Sequence, residues 1–209
     1  MIAIFDRQHW GKPGRSDLGA GYDLDADGVV ELQEREAMLT PRYYEPAVAL
    51  LEANGHTVHI LDSGWYRERH AHANEIAAAN PNEKVAFVAC HINAGAGDYL
   101  VAIHDSRSGG GRRLASAVAH AAHLAELPGI KRCLVRPASR ENNWKRGWFT
   151  IRNIWEGPTN ISAICFEPYF LDTPEHSHLA ERDHGVAIGE VLAHGLMAWE
   201  MGWSTWSPG

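Results

Sequence analysis

The stretch Val85-Ala86-Phe87-Val88-Ala89-Cys90-His91-Ile92-Asn93-Ala94 decides the fold. Residues 85–90 are apolar without a break and too few for a buried helix. A run of that kind is a strand covered on both faces, as in a parallel sheet between layers of helix. His91 then stands at the strand's carboxyl end, the edge where such sheets place their sites. Outward from this strand, short apolar runs at 2–5, 57–61, 99–103, 133–136 and 161–166 alternate with helical patterns over 35–53, 67–79, 113–126 and 177–200. The alternation predicts a single α/β domain, a mostly parallel twisted sheet with helices on both faces. Asn54-Gly55 stops the first helix, and Pro41 and Pro46 predict a break or kink within it. Residues 11–28, rich in Gly and Asp, read as loop. Gly109-Gly110-Gly111 lacks the Gly-Lys-Ser/Thr ending of a phosphate loop and reads as a turn, and the tail from 203 to 209 reads as frayed.

Composition narrows the function. A chain of 209 residues, 45% hydrophobic and 22% charged, suits one domain with a real core and excludes a disordered chain. No apolar run approaches the roughly 20 residues that cross a bilayer. Met1-Ile2-Ala3-Ile4-Phe5-Asp6 lacks the basic-then-apolar pattern of a signal peptide, so the expectation is synthesis in a cytoplasm without a leader. Cys90, Cys133 and Cys165 are an odd count without CxxC spacing, which argues against disulfides and cysteine zinc knuckles. A net charge of -7 argues against nucleic acid as a partner. Thirteen histidines invite a search for a metal site built from His and carboxylate.

That search converges on one edge of the expected sheet. His9 lies just past the first strand, His91 directly after the 85–90 strand, and Glu167 directly after the 161–166 strand. Glu36 opens the first helix, and Glu31 and Glu34 stand nearby as alternative carboxylates. Two imidazoles and one carboxylate make an open catalytic zinc set, with the fourth position left to water. A carboxylate free of the metal is then needed to carry the proton, and Glu167 fills that role. Each residue alone is more often a solvated or capped side chain; their convergence carries the reading.

Residues 23–34, Asp-Leu-Asp-Ala-Asp-Gly-Val-Val-Glu-Leu-Gln-Glu, match the 12-residue calcium loop. Asp23, Asp25 and Asp27 occupy positions 1, 3 and 5, Gly28 the turn, Val29 the carbonyl position 7, and Glu34 the bidentate position 12. The Gly-rich residues 11–22 supply no entering helix, so this is a lone loop, inserted two residues before Glu36. Among eight tryptophans, Trp144, Trp148 and Trp155 cluster before the 161–166 strand. Trp144 is a candidate substrate contact, with core packing the alternative for Trp148 and Trp155.

With these motifs in order, the chain resembles the zinc N-acetylmuramoyl-L-alanine amidases of bacterial autolysins and phage endolysins, the amidase-3 group. The resemblance rests on Gln8-His9-Trp10-Gly11, Asp17-Leu18-Gly19-Ala20, Arg69 to Asn74, Ala89-Cys90-His91-Ile92-Asn93-Ala94 and Phe166-Glu167-Pro168-Tyr169-Phe170. Counting back from Gly55-His56 with Leu50-Leu51-Glu52-Ala53 in register puts the family's zinc glutamate at Glu36. Arg7-Gln8 replaces the family's Pro-Gly, and Tyr169 stands where the family has Gly; both reshape the pocket rim. The resemblance implies zinc on His9, Glu36 and His91, Glu167 as general base, Asn93 at the substrate, and peptidoglycan as the partner of a monomeric enzyme. A short chain without a signal peptide or wall-binding module fits a phage endolysin acting on the cell wall after release. The rivals are a zinc carboxypeptidase-like amidohydrolase on another amide and a calcium-dependent wall-binding module.

Overall fold

All six apolar runs become strands of one sheet. The structure is a computed structural model and describes residues 1–14, 17–173, 176, 179 and 182–203. The strands are β1 (Ile2–Arg7), β2 (Thr57–Leu61), β3 (Val85–Cys90), β4 (Tyr99–Asp105), β5 (Arg132–Ala138) and β6 (Ile161–Glu167). The helices are α1 (Glu36–Leu39), α2 (Pro41–Ala53), α3 (Tyr66–Ala79), α4 (Gly109–Ala125), α5 (Lys145–Trp155) and α6 (Arg182–Glu200). Strand order is β2-β1-β3-β6-β4-β5, parallel except where β4 meets β6 antiparallel. β4 and β5 therefore point their carboxyl ends the other way, and only β1, β2, β3 and β6 share the candidate edge.

The strands split their apolar side chains between two cores, because successive residues face opposite sides. Ala3, Phe5, Ala86, Val88, Cys90, Ile164 and Phe166 meet α2, α4 and α6. Ile2, Ile4, Val85, Phe87, Ala89 and Cys165 meet α3 and α5. This double coverage is why β3 carries no polar residue. On the first face the helix backbones approach closely: a Cβ on Gly189 would lie 2.4 Å from the Tyr43 carbonyl, and one on Gly195 2.6 Å from Val118 Cα.

The helices refine the sequence reading for local reasons. The 35–53 pattern breaks, as expected at Pro41, into α1 and α2, since Pro41 suits a first helical position, whereas Pro46 is accommodated inside α2. α4 begins four residues before its expected start, through the three glycines read as a turn. Ser108 caps it by accepting the Gly111 N–H at 2.9 Å, and a Cβ on Gly111 would meet the Ala163 carbonyl at 2.9 Å, so glycine permits the close seat on β6. α5 was not expected as a helix. The last expected helix, 177–200, is helical from Arg182; residues 177, 178, 180 and 181, like 204–209 of the tail, lie outside the described residues.

Candidate active site

β1, β3 and β6 are neighbours, and their final pairs are level: Arg7 opposite Cys90, and Cys90 opposite Phe166. His9, His91 and Glu167 thus leave the sheet side by side. All three line one cleft of about 470 Å³, with Glu36, Tyr66 and Arg146.

His9 adopts a left-handed backbone, φ 60°, which is uncommon for a residue with a side chain and is retained where the surroundings enforce it. The enforcing group is Arg69 of α3, buried beneath the loop. Its Nη1 pairs with Asp6 Oδ1 at 2.8 Å and donates to the Arg7 carbonyl at 2.6 Å, and its Nη2 donates to the Trp10 carbonyl. One guanidinium therefore grips the chain on both sides of His9. Tyr66 Oη accepts the His9 backbone N–H at 3.2 Å.

The His9 ring lies between two carboxylates, with Nδ1 3.3 Å from Asp17 Oδ1 and Nε2 3.5 Å from Glu36 Oε2. The Lys12 ammonium, 2.9 Å from Asp17, with the Gly19 N–H, holds the Asp17 carboxyl down at about 2. Asp17 is thus a fixed anion able to orient the ring, as outer carboxylates do for metal-bound histidines. Burial lowers His9 below the usual histidine range, which favours the neutral form that binds metal.

Glu36 is 3% exposed at the start of α1. Its Oε1 faces His91 Nδ1 at 2.7 Å and accepts the Ile92 N–H at 3.0 Å; its Oε2 accepts the Ala20 N–H at 3.2 Å. Burial opposes ionisation, but His91 above all, with His9 and the Ile92 N–H, outweighs it and holds Glu36 below the ordinary carboxylate range. Asp17-Leu18-Gly19-Ala20 runs alongside, and a Cβ on Gly19 would strike Glu36 Oε2 at 2.4 Å. His91 is anchored through its backbone, with its N–H to the Phe166 carbonyl at 3.0 Å and its carbonyl to the Tyr43 hydroxyl at 3.0 Å. Its Nε2 is buried with no hydrogen-bond partner.

These features fit a metal ion. Ligand atoms of His9, Glu36 and His91 lie within 4.8 Å of one another, and the donor set of two imidazoles and one carboxylate is that of open zinc sites. The unpartnered His91 nitrogen is a buried polar atom of the kind that a ligand satisfies. Glu167 stands apart from this set. Among the described residues its hydrogen-bond partner is the weak Cys165 thiol donor at 3.8 Å, and burial, with Glu36 nearby, pushes its carboxyl up to about 7.

The 23–34 loop forms two further groups. Oxygens of Asp23, Asp25 and Asp27 lie within 4.8 Å of one another, and so do those of Asp25, Glu31 and Glu34. Glu34 turns inward and accepts the Leu24 N–H at 2.6 Å and the Glu31 N–H at 2.9 Å, while Val29 is exposed. Asn93 lines the cleft, with Oδ1 accepting the Ala94 N–H at 2.8 Å. Trp144 lies outside that lining, packed against the α3/α5 core with the Arg136 guanidinium over its ring. Phe149, one turn further along α5, lines the cleft instead. The sequence reading assigned no role to Asp17, Tyr66, Arg69, Arg146 or Phe149. Asp17 and Arg69 lay inside quoted motifs, but pattern alone does not reveal what a buried guanidinium holds.

No protein-family model matches the chain, and no curated protein matches it in sequence. Solved structures do. The N-acetylmuramoyl-L-alanine amidase AmiC2 of Nostoc punctiforme is 20% identical with a TM-score of 0.67, over 95% of this chain and 96% of that one. The CwlD amidase of Clostridioides difficile, solved in complex with the GerS lipoprotein, is 17% identical with a TM-score of 0.68, over 95% and 97%. The catalytic domain of the CD27L endolysin targeting Clostridia difficile is 11% identical with a TM-score of 0.62, over 94% and 96%. The fold of this chain is the fold of N-acetylmuramoyl-L-alanine amidases. No helix among the described residues is long and apolar enough to cross a membrane.

Proposed function

We propose that a chain with this fold and this cleft is a zinc-dependent N-acetylmuramoyl-L-alanine amidase, hydrolysing the peptidoglycan amide between the lactyl group of N-acetylmuramic acid and L-alanine. His9, Glu36 and His91 would hold the zinc. When bound there, zinc acidifies a water and polarises the scissile carbonyl. The chain supplies the rest. Asp17 orients His9, and the Ala20 and Ile92 N–H groups hold the Glu36 carboxylate in place. Glu167 takes the proton from the attacking water and passes it to the leaving alanine nitrogen. A carboxyl held near 7 suits both directions of transfer. The observation that carries the reading is the His/Glu/His cluster and this separate, raised carboxyl in one cleft. The site of action is the bacterial cell wall, and the fold shared with an endolysin catalytic domain supports a wall-lytic role.

The test is release of alanine N-termini from purified peptidoglycan by protein stripped of metal and then given zinc. New N-terminal alanine that requires zinc supports the amidase. Hydrolysis of free acyl-peptides with intact wall untouched would turn the reading to a carboxypeptidase-like amidohydrolase. Calcium-dependent pelleting with wall and no alanine release would turn it to a binding module.

The 23–34 loop belongs to the same proposal as a calcium site of Asp23, Asp25, Asp27, the Val29 carbonyl and Glu34. Its 12-residue spacing and the close Asp23, Asp25 and Asp27 oxygens support it. Glu34 lies two residues before Glu36, so calcium there would brace the zinc glutamate. Luminescence of bound terbium, competed by calcium and abolished by Asp25→Ala, is the expected result; no competition by calcium would remove the site.

A further inference from the structure

The chain carries 26 acidic against 19 basic residues, and side-chain cations are scarce in its cleft. Asp17, Glu36 and Glu167 line it as carboxylates, while Arg146 is the one lysine or arginine among the described lining residues. The muramoyl peptide of the proposed reaction, on which this inference rests, is itself anionic. A glutamate-type residue follows the alanine, its α-carboxyl free in some walls and amidated in others. A side-chain cation in the cleft would draw in and orient such a carboxylate.

Arg146 is placed for that task. It sits in the first turn of α5, exposed, and among the described residues it makes no hydrogen bond or ion pair. Its backbone is not loose. Gly147 next to it is buried so tightly on β4 that a Cβ there would lie 2.7 Å from Ile103 Cδ1. Thr150 Oγ1 donates to the Gly147 carbonyl at 2.7 Å and pins the same turn. Three residues on, Phe149 presents a 44% exposed ring to the same cleft. Two other arginines near this helix lie against rings: Arg152 4.9 Å from the Phe149 ring centre, and Arg136 5.9 Å from that of Trp144.

We propose that Arg146 is the carboxylate-binding subsite of the cleft, selecting muramoyl peptides whose first carboxyl beyond the scissile alanine is free. A guanidinium holds a carboxylate through two parallel N–H···O bonds, whereas a carboxamide offers one oxygen and no charge.

The probes are two N-acetylmuramoyl tripeptides differing only in a carboxylate or carboxamide on the second residue, assayed with the zinc-loaded protein by alanine N-terminus release. Wild type is expected to favour the free acid by about tenfold or more in kcat/KM, mostly through KM, as loss of a charge-assisted pair predicts. In Arg146→Gln the ratio between the substrates falls to about one, and in Arg146→Lys an intermediate preference survives. Equal hydrolysis of both substrates by wild type, or an undiminished ratio in Arg146→Gln, overturns the subsite while leaving the amidase standing. Hydrolysis of neither substrate by wild type overturns both.

Discussion

Glu36 and Glu167 are both carboxylates of one cleft, and their surroundings drive them apart. Two imidazoles and the Ile92 amide hold the first below the ordinary carboxylate range, while burial beside a thiol pushes the second up to about 7. That separation supports the roles proposed for them, ligand for Glu36 and base for Glu167. Glu167→Gln should keep its zinc yet lose about 10²- to 10⁴-fold in alanine release, the usual worth of a general base; metal analysis with a rate assay checks it. His70 gives a separate acid effect, outside the proposed ligand and base set. It is buried edge-on against Phe87, and burial pushes its pKa down to about 4. The folded state therefore keeps His70 neutral while the unfolded chain takes up a proton below about 6.5. Stability is fully present above that pH and is lost as pH falls from 6.5 through 4. Urea midpoints at pH 7.5 and 5 should fall further for wild type than for His70→Leu; equal losses would disprove the assignment.

At the scale of elements, the loop after β1 is shaped by α3. Arg69→Met would leave Asp6 buried without its cation and free the Arg7 and Trp10 carbonyls. Breaking a buried pair from one side costs about 3–5 kcal/mol. Arg69→Met should therefore lower the denaturation midpoint and weaken zinc binding, because the backbone around His9 relaxes. Adding Asp6→Asn should restore stability more than zinc affinity, and a zinc titration beside a melting curve separates the two. Between α2 and α6 the limit is steric. Gly189→Ala would press a methyl group against the Tyr43 carbonyl at 2.4 Å and should cost about 1–3 kcal/mol, visible as a lower melting temperature.

For the molecule as a whole, the proposed zinc joins three separate segments: the β1 loop, the start of α1 and the end of β3. A ligand that binds the folded chain alone stabilises it by about 2.7 kcal/mol at a hundredfold excess over Kd. Chelation should therefore lower the melting temperature, and added zinc should restore it in wild type but not in His91→Ala. An unchanged melting temperature on chelation would mean that no metal ties these segments together.

The strands were legible because a buried parallel strand must be apolar on both faces, so the 85–90 run admits one reading, and the residue after each run marks the sheet edge. His9, His91 and Glu167 followed from that rule, while the family's helix register supplied Glu36. The helix through Gly109-Gly110-Gly111 was hidden because glycine disfavours helices in isolation; the Ser108 cap and the contact with β6 decide it. α5 was hidden because its aromatic residues read equally as a surface platform. Sequence by itself determined the order of elements, the sheet class and the chemistry available at one edge, since these depend on local polarity and period. Tertiary structure alone decided that β4 reverses, that Arg69 clamps the His9 loop, that Asp17 faces the His9 ring and that Arg146 opens onto the cleft. Each of those pairs segments distant in the chain, and burial and distance are properties of the packed molecule.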